Sequence, residues 1–180
     1  AVVQSHPILD GKQMIELSRF LPKAQNSTVP SLVFAEVADG KIDPFRELPV
    51  TQPDVGAYLV GAAKVVGSAP AERLGFFFQY LNHADQRISD DAYKEFSKAP
   101  YQSVAAAAKH YKPDTLIEWI KDPATPAYRI GLFGLLLGTC GRQGDAKFLF
   151  DRIASPELRP YDGVDGMMAG HFLLQPDAAS

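Results

Sequence analysis

Two identical glycine ladders constrain the fold of this chain more than any other feature. Each ladder has the spacing i, i+3, i+7, and the second begins thirty-two positions after the first. Their members are Gly131, Gly134 and Gly138, then Gly163, Gly166 and Gly170. This spacing places each set on one face of a helix. Because a glycine costs about 1 kcal/mol relative to alanine in a helix interior, the ladders predict close approach of another backbone. Their duplication predicts a repeated helical packing unit.

Composition and charge exclude several classes of protein. The 180 residues are 46% hydrophobic and 11% aromatic, which is typical of a folded chain rather than a disordered one. The net charge is −3, and no region forms a basic stripe, so we predict that the protein does not bind nucleic acid. The longest apolar run, residues 130–137, is far shorter than the roughly 20 residues of a membrane span. We therefore predict no membrane span.

The first fifty residues have the pattern of a small antiparallel β module. The segments 12–20 and 31–37 are rich in β-compatible residues, and Asp39-Gly40 supplies the positive φ of a tight hairpin turn. Asp43-Pro44 and residues 49–53 are predicted to form the junction to the next domain, because proline disfavours helix entry from the preceding residue. We expect about three strands within residues 1–50, a module that is incomplete by itself.

From Asp54 onward the apolar residues follow helical spacing, which predicts a helical domain over residues 54–180. The predicted helices span residues 54–66, 70–83, 88–99, 101–111, 114–120, 127–140, 145–153 and 163–174. Ser89 is a candidate N-cap, with Asp90 and Asp91 stabilising the first turn after it. Thr125 is a second candidate cap, with Pro126 as the first helical residue.

One stretch resembles a HEAT-type repeat. The residues that carry the resemblance are Asp122-Pro123, Arg129, Leu136-Leu137-Gly138 and Gly141. It extends best over residues 113–175, although in the second copy Tyr161 stands at the place of the arginine. The resemblance implies a mainly α fold, an antiparallel helical-repeat array (α-solenoid) preceded by the short β module. Such arrays usually present a concave surface to another macromolecule.

Arg129, Asp122 and Trp119 are candidate structural or interaction residues. In the resembling repeats, the arginine often pairs with an acidic residue of an adjacent turn, so Asp122 or Asp145 is the expected partner of Arg129. A ligand-binding role for Arg129 is the alternative. Trp119, the single tryptophan, either packs at the edge of the core or is an exposed anchor for a partner.

Asp165 and His171 are the remaining candidates. An Asp–His pair is suited to acid–base chemistry, but a separation of six residues places the two on opposite faces of one helix. We therefore favour a capping role for Asp162 and Asp165 at the helix start. Cys140 is expected to be a buried small hydrophobe rather than a reactive thiol.

The sequence has no HExxH, P-loop, GxGxxG or GxSxG motif, and we assign no catalytic, cofactor-binding or metal residue. The leading hypothesis is a non-enzymatic protein-interaction or scaffold module of a larger protein, which binds a protein partner through its concave helical surface. The alternative is a helical-repeat enzyme whose pocket joins Asp, His and Arg side chains from several helices. Because the chain starts directly with a strand-like pattern, we expect it to be a fragment.

Overall fold

A computed structural model describes residues 31–50, 54–155 and 163–175 of the chain. It is mainly helical, as the sequence predicts, and has a small two-stranded antiparallel sheet. The chain divides into two compact units, residues 1–66 and 67–180. The first helix therefore groups with the β module, whereas the sequence pattern predicts a boundary between residues 50 and 54.

The described part of the first unit is a β-hairpin and one helix. Strands β1 (Ser31–Ala38) and β2 (Lys41–Pro49) are joined by the predicted Asp39-Gly40 turn, in which both residues have positive φ angles, 51° and 71°. Helix α1 (Val55–Val65) follows. The strand-like segments predicted at the start of the chain and over residues 12–20 lie outside the described residues.

The prediction that Asp43-Pro44 belongs to a junction is wrong. Both residues lie within β2, where Pro44 pairs with Ala35 and Arg46 pairs with Phe34. Phe45 is thus the extra residue of a β-bulge. A proline lacks the N–H that a regular ladder needs, but a bulge accommodates it. The strand therefore continues through the proline to Pro49.

The second unit contains seven α-helices within its described residues. They are α2 (Pro70–Phe78), α3 (Gln86–Lys98), α4 (Tyr101–Ala106), α5 (Pro113–Lys121), α6 (Ala127–Cys140), α7 (Gln143–Ile153) and α8 (Val164–Leu174). A short 3-10 turn, Ala108–His110, separates α4 from α5. The fully buried residues of this unit include Leu74, Leu116, Phe133, Leu136, Leu149 and Met167. The predicted bounds of α6 are confirmed, while α2 ends five residues earlier than predicted.

The two glycine ladders face each other across the contact between α6 and α8. A methyl group built on Gly131 would meet the backbone of Gly163, and one built on Gly138 would meet the backbone of Gly170. Because both contacts progress in the same direction along the chain, the two helices run parallel. The lack of side chains allows their backbones to approach closely, and this is the reason for glycine at these positions.

Gly163 differs from the other members of its ladder. It is the N-cap of α8 and has a left-handed backbone with φ of 76°. It therefore starts the helix rather than lying on its stripe, and a side chain there would be strained as well as crowded. The ladder on α8 proper begins at Gly166.

Two predicted helix caps are wrong. Ser89 lies inside α3, whose N-cap is Asp85, with a carboxylate that accepts a 3.0 Å hydrogen bond from the Arg87 backbone N–H. Thr125 precedes the N-cap residue Pro126, and its hydroxyl donates to the Trp119 carbonyl oxygen at 2.7 Å. Thr125 thus ties the turn to the end of α5 instead of capping α6.

Candidate interaction groove

An open groove lies between helices α3, α6 and the start of α8. It consists of two adjoining cavities of about 620 and 430 Å³, and both are lined by Tyr93, Ser97 and Tyr128. We call their union the α3–α6–α8 groove. The larger cavity reaches the start of α8, where Asp165 lines it, and the smaller one reaches Lys94 on α3. The larger cavity lies within the size range of known ligand pockets.

The α6 side of the groove is an apolar stripe. Tyr128, Leu132 and Leu135 have the spacing i, i+4, i+7, so they lie on one helical face, and all three line the larger cavity. Leu132 and Leu135 are half-buried, and Tyr128 is 46% exposed. Helix α6 is thus apolar on three sides: one faces the core, one faces α8 and the third lines the groove.

A polar cluster beneath the groove joins α3 to α6. The Asp90 carboxylate accepts hydrogen bonds from the Tyr128 hydroxyl at 2.7 Å and from the Arg129 guanidinium at 2.8 Å. Arg129 also donates to the Ser89 hydroxyl at 2.7 Å, and its guanidinium carbon lies 5.3 Å from the centre of the Tyr128 ring. Tyr93 packs edge-on against Tyr128. These contacts fix the aromatic wall of the groove.

The contacts within this cluster shift the pKa values of Asp90 and Tyr128. The hydrogen bond from Tyr128, together with the bond and charge of Arg129, lowers the pKa of Asp90 below its ordinary value of 3.8. Partial burial and the bond to Asp90 raise the pKa of the Tyr128 hydroxyl. Asp90 is therefore held ionised and Tyr128 protonated at neutral pH, in the states that their hydrogen bond requires.

This shift predicts a pH-dependent contribution to stability. Because the folded-state pKa of Asp90 lies below 3.8, its ionised carboxylate stabilises the fold above that pH, and the contribution is lost as the pH falls through the folded pKa. We expect the melting temperature of the wild type to exceed that of Asp90→Asn at pH 7, and the difference to shrink below pH 4. Thermal melts of both proteins from pH 7 to pH 2.5 measure it. A constant difference across this range would contradict the assignment.

The structure places Arg129 in an ion pair, but with a different partner from those predicted. Asp122 accepts a hydrogen bond from the Ala124 backbone N–H at 2.9 Å, and Asp145 accepts one from the Arg142 backbone N–H at 2.7 Å. Both carboxylates thus stabilise local turns. Asp90 is the partner of Arg129 instead, from a helix thirty-nine residues earlier in the chain.

Trp119 takes part in ring packing. Its ring lies between those of Phe78 and Phe133, at centroid distances of 5.4 and 5.0 Å. Trp119 thereby connects α2, α5 and α6. The packing interpretation of this residue fits these contacts better than that of an exposed anchor.

Asp165 and His171 lie in different surroundings. Asp165 is exposed in the first turn of α8, beside Gly131, where its negative charge complements the helix dipole. The N-cap of α8 is Gly163, and Asp162, the other member of the predicted capping pair, lies outside the described residues. His171 Nδ1 lies 2.9 Å from the Ala146 carbonyl oxygen, so this side chain links α8 to α7. The two residues form no acid–base pair.

Cys140 has the properties of a structural thiol. It is half-buried at the end of α6, and burial raises its pKa to about 11. The thiolate, which is the reactive form, is thus scarce at neutral pH. This agrees with its prediction as a small hydrophobe.

Sequence reasoning missed Asp90, Tyr93 and Tyr128 as members of a site. Because Asp90 follows Ser89, its position predicts stabilisation of the first helical turn, and the tyrosines belong to no motif. The spacing of Tyr128, Leu132 and Leu135 was a usable signal, because a third apolar face on one helix requires a neighbour or an exposed surface. The sequence does not show whether this face packs against a neighbour or stays exposed.

Neither a cluster of metal ligands nor a membrane-spanning helix occurs within the described residues. No group of three or more His, Cys, Asp or Glu side chains there is placed to hold a metal ion. Likewise, none of the described helices has the length and apolar character needed to cross a membrane.

Comparison with known proteins adds no relative: no family model, curated protein or solved structure matches this chain.

Proposed function

We propose that this chain is a non-enzymatic protein-interaction module whose helical unit is a HEAT-like array, and that the α3–α6–α8 groove is its binding surface. The observation that carries the proposal is the apolar stripe of Tyr128, Leu132 and Leu135 along an open groove. A groove lined by apolar and aromatic side chains with a few polar groups is the usual form of a binding site.

The order of helix contacts supports a repeat array. Helices α5 and α6 pack together across a short turn, and α7 packs with α8. The parallel contact of α6 with α8 joins the second helices of these two pairs. The Lys121 ammonium, at the end of α5, lies 5.4 Å from the centre of the Phe148 ring on α7. Two helix pairs whose second helices pack side by side form part of the arrangement expected of a helical repeat.

A catalytic role has less support. The alternative of a helical-repeat enzyme needs Asp, His and Arg side chains that converge on one pocket. Asp90 and Arg129 lie next to the groove but are bonded to each other, and the His171 ring lies beside a backbone carbonyl elsewhere. The groove is therefore better suited to contact than to proton transfer.

A single polar substitution in the stripe tests the proposal. We expect Leu132→Gln to weaken partner binding about tenfold, because an apolar contact worth about 1.4 kcal/mol is replaced by an amide. Partners captured from the source cells by the wild-type protein are purified, and their dissociation constants for wild type and variant are measured by calorimetry.

Phe172→Gln is the matched control. Phe172 is 47% exposed on α8 and does not line either cavity of the groove. Partner binding should survive this change, and both variants should melt close to the wild type. If Phe172→Gln abolishes binding while Leu132→Gln leaves it intact, the exposed face of α8 is the binding surface and the groove is not.

A further inference from the structure

The two ends of the groove carry opposite charges. Lys94 lines only the smaller cavity and Asp165 only the larger one, whereas Tyr93 and Tyr128 line both. Lys94 and Asp165 therefore line different parts of the groove, which share the aromatic pair. Both residues are exposed. Among the described residues, the groove thus has a basic end on α3 and an acidic end at the start of α8.

Asp90 does not cancel the basic end. Although its carboxylate lines the smaller cavity beside Lys94, it is bound to the Arg129 guanidinium at 2.8 Å. This pair is neutral as a unit. The charge that remains for an incoming ligand at this end is that of Lys94.

The apolar middle of the groove has the length of a short helix contact. From Tyr128 to Leu135 the stripe spans eight residues of α6, and the seven steps between them cover about 10 Å at 1.5 Å per residue. A partner helix presents side chains over the same length at positions i, i+3 or i+4, and i+7. Tyr93 and Phe96 line the opposite side, on α3. A groove between helices with an apolar stripe of this length fits two turns of an amphipathic helix.

We propose that the groove binds an amphipathic helix of a partner protein that has a basic side chain at the end near Asp165 and an acidic side chain at the end near Lys94. This inference rests on the proposed function, since it names the class of partner for the same groove. Charge at the two ends adds little affinity, but it selects the direction in which the helix binds.

A library of displayed helical peptides tests the inference. Each peptide has sixteen residues and a fixed apolar stripe of leucines at i, i+4 and i+7, and the positions flanking both ends of the stripe are randomised among Lys, Glu and Gln. Selection on the wild-type protein should enrich peptides with Lys at one end and Glu at the other at least threefold over peptides with Gln at both ends. Sequencing before and after selection measures the enrichment.

Variants that remove the charge of Asp165 or of Lys94 show which of these residues recognises each end of the peptide. Selection on Asp165→Asn should remove the preference for Lys and keep that for Glu, and selection on Lys94→Gln should do the reverse. If the peptides bind, lose binding with Leu132→Gln, and show no charge preference, the charge-directed inference is wrong while the proposed function stands. If no selected peptide depends on Leu132, both fail.

Discussion

Gly134→Leu should destabilise the helical unit by at least about 3 kcal/mol, a fall in melting temperature of roughly 10 °C. Gly134 is buried in α6, and a β-carbon there would lie 2.7 Å from the Met167 α-carbon and 2.9 Å from its backbone nitrogen. These are backbone atoms, which cannot move aside as the end of a flexible side chain can. Helix α8 must therefore separate from α6. Thermal and denaturant unfolding of the purified variant measure the effect.

Gly144→Ala is the matched control for this substitution. Gly144 lies in the first turn of α7, and nothing lies within 4 Å of the position that its β-carbon would occupy. Alanine there restricts the unfolded chain without a clash, so we expect a gain of about 0.5 kcal/mol. An unchanged melting temperature for Gly134→Leu would show that the two ladders do not bring the backbones into contact.

The glycine ladders were predictable because their information is local and redundant. Six glycines with one repeated spacing have few explanations other than close helix packing, and α6 begins and ends at its predicted residues. The Asp39-Gly40 hairpin was predictable for a similar reason, since positive φ angles at two successive residues favour this dipeptide. In both cases the residue type alone excludes most alternatives.

The errors arose where a residue has more than one possible partner. Ser89 has the side chain of a helix cap, but Asp85 four residues earlier offers a stronger acceptor, and Ser89 instead donates back to the Gln86 carbonyl oxygen. Arg129 had two acidic candidates nearby in sequence, and its actual partner comes from α3. Neither outcome follows from spacing along the chain, because the packing of α3 against α6 decides both.

The groove was not predictable for the same physical reason. Its apolar stripe on α6 has the same residue types as a stripe that packs on a neighbouring helix. Only the placement of α3 and of the start of α8 leaves Leu132 and Leu135 half-exposed. Hydrophobic periodicity reports that a face is apolar, and it does not report what covers that face.

Asp90→Ala is the second substitution with a large expected effect, a loss of about 2–3 kcal/mol in the free energy of unfolding. The Arg129 side chain is only 5% exposed, so without Asp90 its charge stays buried with the Ser89 hydroxyl as a neutral acceptor. The Tyr128 hydroxyl also loses its acceptor. Breaking a fully buried ion pair costs more, about 3–5 kcal/mol. The smaller value applies because Asp90 is 37% exposed and water can reach the vacated position.

A second substitution at Arg129 distinguishes a buried charge from lost packing. Met replaces the apolar stem of Arg as far as about the Nε position and carries no charge, so the double variant Asp90→Ala with Arg129→Met should be more stable than Asp90→Ala alone. Arg129→Met alone should cost about 1 kcal/mol, since the partly exposed Asp90 carboxylate stays hydrated without its partner. Denaturant unfolding of the wild type, the two single variants and the double variant completes this double-mutant cycle. If the two losses simply add, the pair is not coupled, and the contact between α3 and α6 depends on apolar packing instead of this polar cluster.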